Sequence, residues 1–196
     1  GQHDVIEAAA RVLASDERKN AKVILAGDAQ GREAYVGDLK SRIAAHGLQD
    51  RIRLTGHCED MPAAYLAAHV TLIASTEPEA FGRTSAEAQA MGCPVIVTRQ
   101  GASPETLLTA ERDGADNATG WIVPVGAPKA MANAIAEALS FSSRERREMG
   151  ARACAHVEQK FTARRMQRET LSVYDECLRS ALVTAFDDAS DGKQKS

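Results

Sequence analysis

Two carboxylates eight positions apart, Glu79 and Glu87, stand on either side of a short loop that carries Pro78 and Gly82. An ionised carboxylate only accepts hydrogen bonds and can take two from adjacent hydroxyls, so the vicinal diols of a ribose or a hexose are natural partners for it. A helix starting beyond Gly82 would offer unpaired N–H groups and a positive dipole end, which suits a phosphate. Glycine at 82 lets a ligand approach the backbone with no Cβ in the way. A diol at each end with a diphosphate between them describes a nucleoside diphosphate sugar. Plainer roles fit the same spacing. An acid in a first helical turn complements the dipole by roughly 0.3–1 kcal/mol, and a loop glutamate such as Glu79 is ordinarily just solvated.

The elements around this loop decide whether the two carboxylates can face one ligand. Residues 4–15 place Val5, Ile6, Ala9, Val12 and Leu13 on one helical stripe. Residues 21–26 (AKVILA), closed by Gly27, read as a buried parallel strand. A helix over 33–45 stops at His46-Gly47, a strand over 51–55 ends at Gly56, and a helical stretch covers 61–68. The strand at 70–74 (VTLIA) leads into the Glu79 loop, then a helix over 84–91 and a strand at 95–97. A strand at 120–123 precedes helices over 128–139, 143–159 and 163–185. Strands alternating with helices predict an α/β fold, a Rossmann-like parallel sheet with helices on both faces. Ligands of such sheets sit beyond the carboxyl ends of the strands, here the loops 27–32, 56–61, 75–84 and 98–105. Residues 1–186 form one nucleotide-sugar-binding domain in this reading, and the polar stretch 187–196 a disordered tail.

Composition removes several classes of function. A net charge of −3 without a basic cluster, and 4% aromatic residues, argue against nucleic acid as a partner. The four cysteines, at 58, 93, 154 and 177, lack CxxC spacing and read as reduced thiols of a cytoplasmic protein. No apolar run reaches the length of a membrane span, and no signal peptide is visible. No D-x-D triad stands ready to hold a divalent ion between phosphates; Asp187-Asp188 is adjacent, not alternating.

The whole string EAFGRTSAEAQAMGCPV, with Glu79 and Glu87 at the ends of an E-x7-E motif, resembles the large retaining glycosyltransferase family of GT-B architecture, the group 1 or family 4 type. Gly101-Ala102-Ser103-Pro104-Glu105 is similar to the family's G-G-x-x-E stretch, with Ala102 in place of the second glycine. Gly120-Trp121-Ile122-Val123 resembles its G-x-L-V strand, and Phe161-Thr162 and Tyr174 also fit. The resemblance runs through nearly the whole chain and implies the C-terminal, donor-binding domain.

It implies roles residue by residue. Glu79 takes the catalytic slot that contacts the hydroxyls of the transferred sugar, orienting the donor rather than acting as a general acid. Glu87 takes the slot that holds the ribose hydroxyls. Backbone N–H groups around Phe81, Gly82, Arg83 and Thr84 would meet the sugar and diphosphate. Gly56 and His57 would pass beside the base, although a lone loop histidine also fits plain solvation, and Glu105 joins the donor-binding set. The resemblance implies a metal-independent enzyme without a cofactor, the nucleoside diphosphate sugar being its substrate. Polysaccharide biosynthesis is the expected setting, at the inner face of the membrane if the other half associates peripherally with it.

Relatives neutralise the diphosphate with an Arg and a Lys from the loop that precedes the helix opening this chain, and Gly1 matches the glycine after that lysine. Arg83 and Arg99 lie near the site in sequence, where surface arginines are also ordinary. The first strand of the domain, central in the family's sheet, is absent as well. An N-terminal acceptor-binding domain, a strand supplied from elsewhere in the same protein or by a swapped partner, and a fragment inactive alone are the corresponding expectations. A continuous sheet made by residues 1–196 alone would contradict them. Other readings are a sugar-nucleotide epimerase or a phosphorylase on the same architecture, though no context supports a pyridoxal-phosphate lysine, and a non-catalytic nucleotide-sugar-binding module.

Overall fold

A computed structural model describes residues 1–192 except 16, 17 and 19. The chain divides into two compact units, Gly1–Ala155 and His156–Ser196. In the first, helices and parallel strands alternate: α1 (Gln2–Leu13), β1 (Val23–Ala26), α2 (Glu33–Ala45), β2 (Ile52–Gly56), α3 (Met61–Ala67), β3 (Thr71–Ile73), α4 (Arg83–Ala90) and β4 (Val95–Thr98). A 3-10 turn (Ser103–Thr106), α5 (Ala110–Asp113), β5 (Gly120–Val123), α6 (Pro128–Ser140) and α7 (Ser143–Lys160) follow. Each strand and helix expected from periodicity up to residue 160 is present within a few residues of its expected bounds; the 3-10 turn and α5 are too short for periodicity to announce.

The strands form two sheets among the described residues. β1 pairs with β2, and β3-β4-β5 forms the other, all parallel. β4 (VIVT) is buried along its whole length, as a strand covered on both faces and paired on both edges must be.

Helix α1 spans the division. The single stripe expected from its sequence serves two cores. Val5, Ala8 and Val12 pack with Ile96, Val123 and the α6 residues Met131 and Ile135, with Leu25 and Leu72 against them. One position further round, Ile6, Ala9 and Leu13 pack with Leu39, Ile43 and Ile52. Small residues at 8 and 9 let both neighbours close in, and the wide apolar arc of α1 is needed because it touches both sheets.

In the second unit, α8 (Ala163–Leu178) and α9 (Leu182–Gly192) replace the single helix expected over 163–185. Arg179 takes a left-handed conformation, with φ 51°, and ends α8. The Asp175 carboxylate then accepts from the backbone N–H groups of Leu182 and Val183 at 2.7 and 3.0 Å and starts the next helix. The polar stretch from 187, expected as a disordered tail, is helical to Gly192. Asp187 pairs with Arg168 at 3.0 Å, a contact that composition does not reveal. Residues 193–196 lie outside the described residues. No described helix is long and apolar enough to cross a membrane.

Candidate functional site

The loop between β3 and α4 is tied to the loop that leaves β4, and this fixes the first carboxylate. The Thr98 hydroxyl donates to the Ser75 carbonyl at 2.6 Å, the Gln100 side-chain amide to the Thr76 carbonyl at 2.9 Å, and the Ala102 N–H to the Glu79 carbonyl at 3.0 Å. The two backbones touch so closely that a Cβ at Gly101 would lie 2.5 Å from the N and O of Glu79. Gly101 also has φ +57°, so glycine is required there on both counts.

Glu79 is half-buried, and both of its carboxylate oxygens have partners. Ser75 Oγ donates to one, and Ser103 Oγ donates to the other at 3.4 Å. Gly82, with φ 82°, forms the N-cap of α4 and has no side chain to fill that terminus. A Cβ on Gly82 would meet Ser103 Oγ at 2.9 Å. Ser103 therefore touches the carboxylate on one side and the start of α4 on the other.

Glu87 projects from the exposed side of α4, where Arg83 pairs with it at 3.2 Å one turn earlier. Tyr65, buried in α3, lies within electrostatic reach of the Glu87 carboxylate. Burial first, and then the Glu87 charge, push the Tyr65 phenol above its ordinary value. Gly56 and His57 are exposed where β2 ends. Thr84 and Arg83 are exposed at the start of α4, Phe81 is 43% exposed just before it, and Arg99 is exposed after β4. Glu105 is exposed in the 3-10 turn, where its N–H closes onto the Ala102 carbonyl at 2.9 Å.

Behind the site runs a buried polar network. Gln89 is fully buried in α4 and donates to the Thr106 carbonyl at 2.8 Å, and to the Ser85 hydroxyl and carbonyl at 3.2 and 3.3 Å. The Thr119 hydroxyl donates to the Gln89 amide oxygen at 2.8 Å and accepts from the Leu108 N–H at 3.0 Å. The Thr106 hydroxyl donates to the Ser103 carbonyl at 2.7 Å. The helix bearing Glu87 and the turn bearing Ser103 are thus locked by groups whose hydrogen bonds are satisfied inside the protein.

Residues 1–155 match the family described as Glycosyl transferases group 1. The chain belongs to this family. It is 34% identical over 157 residues to the lipopolysaccharide core biosynthesis mannosyltransferase LpsB of Rhizobium meliloti, covering 80% of this chain and 43% of that protein. It is 31% identical over 159 residues to the D-inositol 3-phosphate glycosyltransferase of Corynebacterium glutamicum, covering 80% of this chain and 36% of the relative. The chain therefore spans less than half the length of these relatives. A crystal structure of Anabaena HepE in complex with UDP and glucose superposes with a TM-score of 0.77 at 25% identity, over 90% of this chain and 45% of that one. The C-terminal domain of a group 1 glycosyl transferase, LpcC of Francisella tularensis, superposes with a TM-score of 0.70 at 26% identity, over 83% of this chain and 80% of that one. The fold is the Rossmann-like C-terminal domain of the GT-B architecture.

The structure of this group 1 domain joins the Glu79 loop, the N-terminus of α4 and the turn carrying Ser103 and Glu105 in one place. Sequence reasoning missed Tyr65, Ser75 and Ser103. Tyr65 read simply as part of an apolar helix, and its lone hydroxyl in that stretch was the available signal. Ser75 stands at the carboxyl end of a buried strand, a position that marks ligand loops in such sheets. Ser103 had no local signal beyond its place inside the GASPE stretch.

Proposed function

We propose that this chain is the donor-binding half of a retaining, metal-independent glycosyltransferase. It would present a nucleoside diphosphate sugar to an acceptor held by a second, N-terminal domain. The observation that carries the reading is the half-buried Glu79, with both carboxylate oxygens hydrogen-bonded directly before a glycine-capped helix. A carboxylate held in this way is suited to orienting the hydroxyls of a sugar. Glu87, further along α4 and paired with Arg83, suits the ribose diol. The N–H groups at the start of α4, with the helix dipole behind them, suit the diphosphate between the two.

In this reading the acceptor oxygen attacks the anomeric carbon from the face the diphosphate leaves. The bond from that carbon to the β-phosphate oxygen breaks with its electron pair on the phosphate, which takes the acceptor proton. Glu79 and the α4 N-terminus contribute by positioning the donor and stabilising the developing phosphate charge. HepE, a relative in fold, was crystallised with UDP and glucose, which supports a nucleoside diphosphate sugar as the ligand class.

The test is product analysis on the full-length protein with UDP-, GDP- and ADP-sugars, repeated for two variants. Glu79→Ala is expected to cripple transfer while leaving nucleoside diphosphate affinity nearly intact, and Glu87→Ala to weaken binding of the nucleotide itself. Wild-type behaviour from both variants would remove these roles, and donor binding with no turnover would point to a non-catalytic module.

A further inference from the structure

We infer that Ser103 is a positioning residue for sugar transfer: its hydroxyl sets the Glu79 carboxylate in register with the N-terminus of α4. The inference rests on the role proposed above for Glu79. A glutamate in a loop has free torsions, and a carboxylate that must meet particular sugar hydroxyls cannot be left to sample them all. Here both oxygens are held by serine hydroxyls, Ser75 from the end of β3 and Ser103 from the turn after β4.

The two serines are not equivalent. Ser75 belongs to the same loop as Glu79, four residues before it. Ser103 arrives from 24 residues away and is 1% exposed. Its backbone is fastened from behind, because the Thr106 hydroxyl donates to its carbonyl at 2.7 Å and Gln89 donates to the Thr106 carbonyl at 2.8 Å. Gln89 lies in α4, the helix whose first turn faces the proposed diphosphate. Ser103 also packs against Gly82, where a Cβ would come within 3.1 Å of its Cα. The chain α4–Gln89–Thr106–Ser103–Glu79 therefore ties the carboxylate that orients the sugar to the helix that receives the phosphate. A displacement of the donor's phosphate end and one of its sugar end are then coupled through a single rigid turn.

A positioning role makes a specific demand: the sugar's contribution should fall while the nucleotide's stays. The experiment uses the full-length protein and the variants Ser103→Ala, Glu79→Ala and the double variant. Two quantities are read, kcat for sugar transfer, and the ratio of calorimetric affinities for UDP-glucose and UDP, with the GDP and ADP pairs run in parallel. The second requires no turnover. A hydrogen bond to a carboxylate is lost in Ser103→Ala, so kcat should drop roughly tenfold or more. The affinity ratio should shift towards UDP, with affinity for UDP itself within about twofold of wild type. In the Glu79→Ala background, Ser103→Ala should add nothing, since the group it positions is gone.

If Ser103→Ala leaves kcat and the affinity ratio unchanged while Glu79→Ala is crippled, Ser103 does not position the carboxylate and the inference fails alone. Additive effects in the double variant, or UDP affinity falling in step with kcat, overturn it equally, because they indicate general damage to the turn. If Glu79→Ala itself transfers sugar normally, or none of the three nucleotides binds, the reading of Glu79 fails and the inference with it.

Discussion

Replacing Gln89 with leucine tests whether the buried network is what fixes the two halves of the site. Gln89 is completely enclosed, and its amide satisfies the Thr106 carbonyl and the Thr119 hydroxyl, each at 2.8 Å. Leucine is close to glutamine in size, so cavity formation is a small part of the effect. The substitution leaves one buried carbonyl and one buried hydroxyl without their partner, each costing about 1–3 kcal/mol. Extra apolar burial by leucine offsets about 1 kcal/mol of this. A net loss of about 3 kcal/mol follows, a large part of the roughly 5–15 kcal/mol that holds a domain folded. For a unit of this size it corresponds to a fall in Tm of roughly 6–12 °C. Scanning calorimetry of the full-length protein, with and without saturating nucleotide, reads this directly. The companion Thr119→Val removes the hydroxyl that would otherwise be stranded, so the double variant should cost clearly less than the two single losses together. A shift in Tm below about 2 °C for Gln89→Leu, or strict additivity with Thr119→Val, would refute the idea that these groups depend on one another.

Two further outcomes follow from the same geometry. Gly101→Ala places a methyl 2.5 Å from the Glu79 backbone at φ +57°. It should lower sugar transfer by more than about tenfold, through a misplaced carboxylate, with nucleoside diphosphate affinity nearly kept; equal losses in both would contradict that assignment. Tyr65 makes a pH prediction. Its phenol is raised by burial and by the Glu87 charge, so its contribution to stability is complete below the ordinary tyrosine value of about 10 and is lost as pH rises through the higher folded value. Alkaline denaturation should therefore be less steep in Tyr65→Phe than in wild type; identical slopes above about pH 10 would count against this.

The sequence by itself determined most of the element order and the loop proposed to carry the chemistry. Helical and strand periodicities depend on neighbours a few positions away, and glycine and proline punctuate them locally. The E-x7-E string and the GASPE stretch were likewise contiguous, so the family could be recognised and Glu79 and Glu87 picked out from residue order alone. Only the tertiary structure decided what holds those two carboxylates. Ser103 reaches Glu79 across 24 positions, and the Glu87 charge acts on Tyr65, in a helix that precedes β3 in the chain. Neither pairing leaves a periodic trace, since each depends on which strand ends lie side by side. The separation into two sheets bridged by the two faces of α1 is a matter of pairing, not of strand propensity. The end of α8 at Arg179 and the helix that follows were hidden for the same reason: Asp175 caps α9 from seven residues back, and Arg168 holds Asp187 from 19. Local order specified which residues could do chemistry, and contacts distant in sequence specified how they are held.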